Sequence, residues 1–195
     1  MRKIGILGTG TTLRFAPFAD ESFEWWGSAE LFGRVPKLDR AFLLYDELKI
    51  RADLTWERVA KVDVPIYMQG VHPKIPTSRA YPIEAVSQAF TVEGRYKPFM
   101  ACTPSYVLAA ALLETPAPDE LHLFGIDVAQ GSEYDWQHPS LAFFLGVAVG
   151  RSIRVVVPTQ SDVLKTKFLY GYEERGRAAD VADLEERLKF FRVAR

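Results

Sequence analysis

Short apolar runs punctuated by turn residues dominate the first half of the chain, and they predict strands. Lys3 to Leu7 is an apolar pentad that stops at Gly8-Thr9-Gly10-Thr11-Thr12, the pattern of a buried strand feeding a glycine-bearing turn. Phe23 to Trp26, Ala41 to Tyr45 and Pro65 to Met68 share that length and character. Ile50 to Val62 differs, because Ile50, Leu54, Val59 and Val62 recur among charges at an irregular helical spacing. Gly70 to Pro82, rich in proline and polar residues, reads as loop, and Ile83 to Phe90 as a short helix.

The second half is more regular. Thr103-Pro104 followed by the apolar stretch Ser105 to Leu113 predicts a helix with threonine at the N-cap and proline in the first turn. Both of its sides are apolar, so it should be buried. Leu121 to Gly125 predicts a strand, Leu141 to Val149 a second apolar helix, and Ile153 to Val157 a strand ended by Pro158. Strand, helix and strand in that order form a βαβ unit, which favours a parallel sheet. Over residues 179–193, Val181, Leu184, Leu188 and Phe191 fall on one stripe, the pattern of an amphipathic closing helix. The chain has no internal repeat and no low-complexity segment. The expected architecture is α/β: a single Rossmann-like domain over residues 1–195, with a mainly parallel sheet and helices on both faces.

Composition narrows the function. A chain of 195 residues with 48% hydrophobic and 25% charged residues has the size and make-up of one globular domain. Its 24 basic and 25 acidic residues give a net charge of −1, which does not suit bulk nucleic-acid binding through a whole-surface field. The single cysteine, Cys102, excludes an internal disulfide framework and a multi-cysteine zinc site, and reads as a small buried apolar residue. With no H-E-x-x-H and no D-x-D carboxylate pair, no metal is expected. No apolar run approaches the ~20 residues of a membrane span, and Met1-Arg2-Lys3 leads into a strand rather than a signal peptide. The expectation is a soluble, cytoplasmic protein.

Ligands of open α/β sheets lie beyond the carboxyl ends of the strands, where three segments should meet. In the first, residues 8–12, backbone amides and threonine hydroxyls suit a phosphate, or a plain turn. The second, Thr103-Pro104-Ser105, opens the buried helix, whose dipole and unpaired amides favour an anion, with simple capping as the alternative. The third is Gly125-Ile126-Asp127 and then Gln130-Gly131-Ser132-Glu133-Tyr134-Asp135-Trp136-Gln137-His138, which reads as a loop dense in polar and aromatic groups. Asp127 suits sugar hydroxyls or a cap. Tyr134 and His138, four apart, would share a face in one helical turn. Tyrosine can bind a phosphate oxygen, His138 can exchange a proton near neutral pH, and Glu133 is a second candidate acid or base. The plainer account makes His138-Pro139 the boundary of the following helix. His72 and His122 read as loop and strand residues rather than ligands, and Arg14 either reaches a phosphate at the first loop or lies on the surface.

These same segments carry a resemblance. Lys3-Ile4-Gly5-Ile6-Leu7-Gly8-Thr9-Gly10-Thr11-Thr12-Leu13 is similar to the opening strand and glycine loop of single-domain bacterial sialyltransferases. Phe23-Glu24-Trp25-Trp26-Gly27-Ser28-Ala29-Glu30-Leu31-Phe32 resembles their second strand and the polar turn after it, and Leu121 to Tyr134 their later strand and lid loop. Ile153 to Leu164, with Pro158-Thr159-Gln160-Ser161, resembles their final strand and its turn. Rossmann-like domains of motility-associated glycosyltransferases and archaeal-type pterin diphosphokinases share the layout, and small phage proteins have the same look.

The resemblance implies a nucleotide or nucleotide sugar as ligand, with no separate cofactor. It would set Gly8, Thr9 and Gly10, with Thr11 in the same loop, against the phosphate or ribose, and Ser28 near the base or sugar. Thr103 to Ser105 would lie near the nucleotide, Gly125 and Asp127 beside base and ribose, and Tyr134 on the phosphate. The sialyltransferases carry asparagine where Thr9 and Ser28 stand, and their catalytic histidine lies in a longer lid. The implied activity is metal-independent transfer from a nucleotide sugar to a hydroxyl, with His138 or Glu133 as base and Tyr134 assisting the departing phosphate. Two alternatives stand beside it: deoxyribosyltransferase-like N-glycosidic chemistry with Glu133 as nucleophile, and a non-catalytic protein that sequesters a nucleotide. Tyr170-Gly171-Tyr172 and the closing helix would serve a homodimer, or pack on their own domain.

Overall fold

Seven strands form one sheet in the computed structural model, which describes residues 1–44, 55–128, 131–166 and 169, with the side chains of 132–134 outside it. The strands are β1 (Lys3–Leu7), β2 (Phe23–Ser28), β3 (Arg40–Leu43), β4 (Ile66–Met68), β5 (Ser78–Ala80), β6 (Glu120–Phe124) and β7 (Arg154–Val156). The chain divides into two units, Met1–Val163 and Leu164–Arg195. All seven strands belong to the first. The helix expected over 179–193 and Tyr170-Gly171-Tyr172 lie outside the described residues, as do Tyr45 and the start of the helix expected from Ile50.

Every strand pairing is parallel, in the order β5-β4-β3-β2-β1-β6-β7. From β1 the chain steps outward through β2 to β5, then returns to the opposite side of β1 as β6. The order therefore reverses between β1 and β6, which makes their carboxyl ends the switch point of the sheet. β5 falls inside the stretch expected to be loop. It has three residues, of which only Ser78 is buried, so it carries no apolar alternation.

Among the described residues four α-helices accompany the sheet: α1 (Trp56–Val59), α2 (Ile83–Phe90), α3 (Thr103–Leu112) and α4 (Gly131–Gly150). Two differ from expectation. The N-cap of α3 is Cys102, in extended conformation, while Thr103 is already helical and makes no capping bond. Pro104 is tolerated just inside because the amides of a helix's first turn lack intrahelical partners. The correction to α4 is larger. It begins at Gly131, so the stretch read as a polar loop is helix, and Pro139 lies within it. A proline there removes one backbone donor, the partner of the Asp135 carbonyl, without ending the helix.

Alternation along the strands divides the core. On one face Ile4, Ile6, Trp26, Phe42, Leu121 and Leu123 pack with Val86 of α2, Leu108 of α3 and Phe144 of α4. Each fully buried side chain of this size contributes about 1.5–3 kcal/mol. On the other face the Trp25 ring lies across Gly5, where a Cβ would fall 2.2 Å from the indole. Phe23 stacks on Trp25 at 4.7 Å, and Leu13 and Leu31 from short helical turns cover them. Val59 of α1 packs with Ala41 and Ile66 farther along that face. At the amino edge Arg2 bridges Glu24 and Glu114, and Arg40 also holds Glu114 at 2.7 Å. That network fastens the end of α3 to β1, β2 and β3 and leaves the carboxyl edge for a site.

Candidate functional site

At the switch point, the loop after β1 runs directly beside the loop after β6. The Gly8 amide donates to the Phe124 carbonyl, and the Gly10 amide to that of Gly125, both at 2.8 Å. A Cβ on Gly8 would stand 2.3 Å from the Gly125 oxygen, and one on Gly125, whose φ is +70°, 2.4 Å from the Gly8 oxygen. These glycines are thus demanded by the meeting of two protein backbones, a reason the sequence reading did not supply.

Asp127 closes the junction. One carboxylate oxygen accepts from the Thr11 hydroxyl at 2.9 Å and the Thr12 amide at 3.1 Å, and the other from the Thr12 hydroxyl. That hydroxyl in turn accepts from the Gly125 amide at 2.9 Å, and Thr12 is only 1% exposed. Burial pushes the Asp127 pKa up, but the hydrogen bonds from Thr12 and Thr11 outweigh it and hold the carboxyl below its ordinary value. Sequence reasoning missed Thr12. Nothing in the spacing separates it from Thr11; only the strand order shows which threonine turns inward.

Beside this clasp opens a cleft of about 480 Å³, within the size range of small-molecule sites. Gly8, Thr9, Gly10 and Thr11 line it together with Gly125 and Asp127. Ser28 lines it from the end of β2 and Thr103 from the start of α3. Glu30, Gln160, Gln137 and Leu141 also border it, the last two being four apart on one face of α4. Ser28 is also a cap, its hydroxyl accepting from the Glu30 amide at 3.3 Å.

Other expected residues stand elsewhere. Ser105 is fully buried, 2.6 Å from the Ser140 hydroxyl and 3.1 Å from the Cys102 sulfur, so it ties α3 to α4 rather than facing a ligand. His138 is half-buried on α4 next to Gln137 and does not line the cleft. Glu133 and Tyr134 belong to the first turn of α4, and their side chains lie outside the described residues. Arg14 is exposed, its guanidinium over the Phe15 ring at 4.9 Å.

The cleft's charge is one-sided. Among its described lining residues are the carboxylates of Asp127 and Glu30, and no lysine, arginine or histidine. An anion would instead meet the amino end of α3, which has no acidic residue in its first turn. The amides of Thr9 and Thr103 have no hydrogen bond among the described residues. Among those residues no group of three His, Cys, Asp or Glu could hold a metal ion, and no helix is long and apolar enough to cross a membrane.

No protein-family model matches the sequence, and no curated protein matches it. The fold is similar to that of the sialyltransferase CstII from Campylobacter jejuni, in a structure described as a complex with a substrate analogue, cytidine-5'-monophosphate. The superposition has a TM-score of 0.51 at 13% sequence identity and covers 94% of this chain and 99% of that one. The expected α/β class and its sialyltransferase-like layout hold at the level of the fold.

Proposed function

We propose that the cleft between the ends of β1 and β6 binds a nucleotide, and that the protein is a glycosyltransferase-like enzyme using a nucleotide sugar without a bound metal. The carrying observation is the acid-free amino end of α3, which brings the unpaired Thr103 amide into the same cleft as the Thr9 amide. Unpaired amides at a helix start form a ready phosphate site without any side-chain cation. The fold shared with an enzyme solved with cytidine-5'-monophosphate supports this ligand class. Ser28 and Glu30 supply acceptors for ribose or sugar hydroxyls, and Asp127, committed to Thr11 and Thr12, holds the loop in shape.

In the transfer, the acceptor oxygen forms a bond to the anomeric carbon as the bond from that carbon to the phosphate oxygen breaks. The electron pair leaves with the phosphate, stabilised by the two amides and by Tyr134. The acceptor proton passes to Glu133, one helical turn before the cleft-lining Gln137 on α4, with His138, which does not line the cleft, as the alternative base.

Thermal shift tests the nucleotide site. Cytidine monophosphate at 100 times its dissociation constant adds about 2.7 kcal/mol, or about 5 to 10 °C for a chain of this size. Thr103→Glu places a carboxylate where the phosphate belongs. It should remove the shift while leaving the unliganded Tm unchanged or slightly raised, since a negative charge suits a first helical turn. A nucleotide shift of equal size in Thr103→Glu contradicts the site. A non-catalytic nucleotide-binding protein is the second reading, favoured by the lack of a histidine among the described lining residues. Unchanged turnover of a nucleotide-sugar donor in His138→Ala and Glu133→Ala removes the base assignment, and a bound nucleotide sugar recovered intact supports the second reading.

A further inference from the structure

The first turn of α3 offers fewer donors than an ordinary helix start. Pro104 has no amide hydrogen, and the Ser105 amide already donates to the Cys102 carbonyl at 3.0 Å. A phosphate at this end therefore draws on one amide of the helix, that of Thr103, and the direction of that amide matters. Its peptide plane is fixed on one side by the helix, because the Cys102 carbonyl accepts from both Ser105 and Tyr106. The Thr103 N–H, antiparallel to that carbonyl in a trans peptide, points off the amino end of α3. On the other side the plane follows the segment that enters the helix, in which Phe99 and Ala101 are exposed.

Ser140 of α4 holds that segment. Fully buried, its hydroxyl donates to the Phe99 carbonyl at 2.7 Å and accepts from the Ala101 amide at 3.2 Å, which pins the peptide groups on both sides of Met100. With its proton committed there, Ser140 accepts from the Ser105 hydroxyl at 2.6 Å. A serine hydroxyl has one donor and two acceptor sites, and all three are engaged. Because the Ser105 proton goes to Ser140, the Cys102 thiol is the donor across the 3.1 Å to Ser105. Three groups that precede or open α3 thus depend on one side chain of α4. That helix also lines the cleft, with Gln137 three residues before Ser140 and Leu141 directly after it. The Ser140 hydroxyl therefore sets how α3 stands against α4 at the cleft, a register that non-directional apolar packing would leave loose.

We infer that Ser140 is a positioning residue of the cleft: through the 99–101 segment it aims the Thr103 amide at the phosphate and keeps that amide in register with Gln137. The inference rests on the nucleotide reading of the cleft. Ser140 does not line the cleft and acts through the Thr103 amide. A displacement of about 1 Å caused far from the chemistry can cost roughly 100-fold, so the loss of this one hydroxyl should be felt at the phosphate. Ser105 differs, since removing its hydroxyl leaves both bonds from Ser140 to the 99–101 backbone in place.

The test is an amide chemical-shift titration of the full chain with cytidine monophosphate. Ser140→Ala should weaken binding about tenfold or more and shrink the Thr103 shift at saturation, while the Thr9 shift is kept. Ser140→Cys, whose thiol is a much weaker donor, should move both quantities in the same direction, and it serves in place of Ser140→Ala where that variant does not fold. Ser105→Ala should bind within about twofold of wild type. So should Val59→Ala, which lowers the Tm by emptying part of the core on the opposite face of the sheet. Wild-type affinity with an undiminished Thr103 shift in the Ser140 variants overturns the inference, and so does a loss in Val59→Ala equal to theirs. Wild-type protein that binds no nucleotide sinks the reading of the cleft and the role of Ser140 with it, whereas wild-type binding that the Ser140 variants share sinks the role alone.

Discussion

Asp127 stands at a strand end, where a carboxylate could meet a sugar, yet its oxygens are taken up by Thr11 and Thr12. Thr12→Val keeps the shape of the side chain but strips the Gly125 amide and Asp127 of a partner. Chemical denaturation should show a loss of about 1–3 kcal/mol. Asp127→Asn should be destabilising as well, and with a defined pH dependence. The Asp127 pKa is depressed in the fold, so its contribution is complete above the unfolded value, near 3.8, and is lost as pH falls through the lower folded value. The stability gap between wild type and Asp127→Asn should therefore be constant near neutrality and narrow below pH 3.8; a gap widening on acidification refutes the clasp. Gly8→Ala, whose Cβ would meet backbone at 2.3 Å, should splay the two loops and weaken nucleotide binding together with stability. Of the residues that line the cleft, Gly8 to Thr11, Thr103, Gly125 and Asp127 were legible as strand-end or helix-start positions with glycines and polar groups, whereas Leu141 and Gln160 were not. The hydrogen bonds between the two loops were not legible either, because Thr12 and Gly125 are 113 positions apart and only the pairing of β1 with β6 makes them neighbours.

Among the elements, the runs Lys3 to Leu7 and Leu121 to Gly125 were readable, the second one residue later than the strand Glu120–Phe124, because both faces of these strands are largely buried, which demands continuous hydrophobicity. The stretch 131–138 was not. Its residues show no apolar stripe, and Pro139 looks like a boundary, so only tertiary context reveals that α4 starts at Gly131. Ser78–Ala80 escaped for the related reason that an edge strand with one buried residue leaves no pattern. The far end of α4 gives a check on the helix itself. Gly146 is exposed within it, and a Cβ there meets nothing within 4 Å. Gly146→Ala should raise stability by about 0.5–1 kcal/mol, measured by denaturant titration; destabilisation would mean that this stretch is not regular helix.

Across the sheet of the first unit, the strand order reverses once, between β1 and β6. β1 is flanked by β2 and β6, so the loops leaving β1 and β6 meet at the switch point and border, together with the α3 amino end, one cleft. The parallel α/β class was legible from strand, helix and strand in the second half; the strand order itself was not, since sequence periodicity carries no information on neighbours. The central claim is that a nucleotide phosphate occupies that cleft, and an amide chemical-shift map recorded during titration with a nucleoside monophosphate tests it most directly. The account predicts saturable shifts of the Thr9 and Thr103 amides at one common midpoint, with the exposed loop at Gly94 and Tyr96 unmoved. Saturable binding that leaves Thr9 and Thr103 in place and shifts amides elsewhere would contradict it.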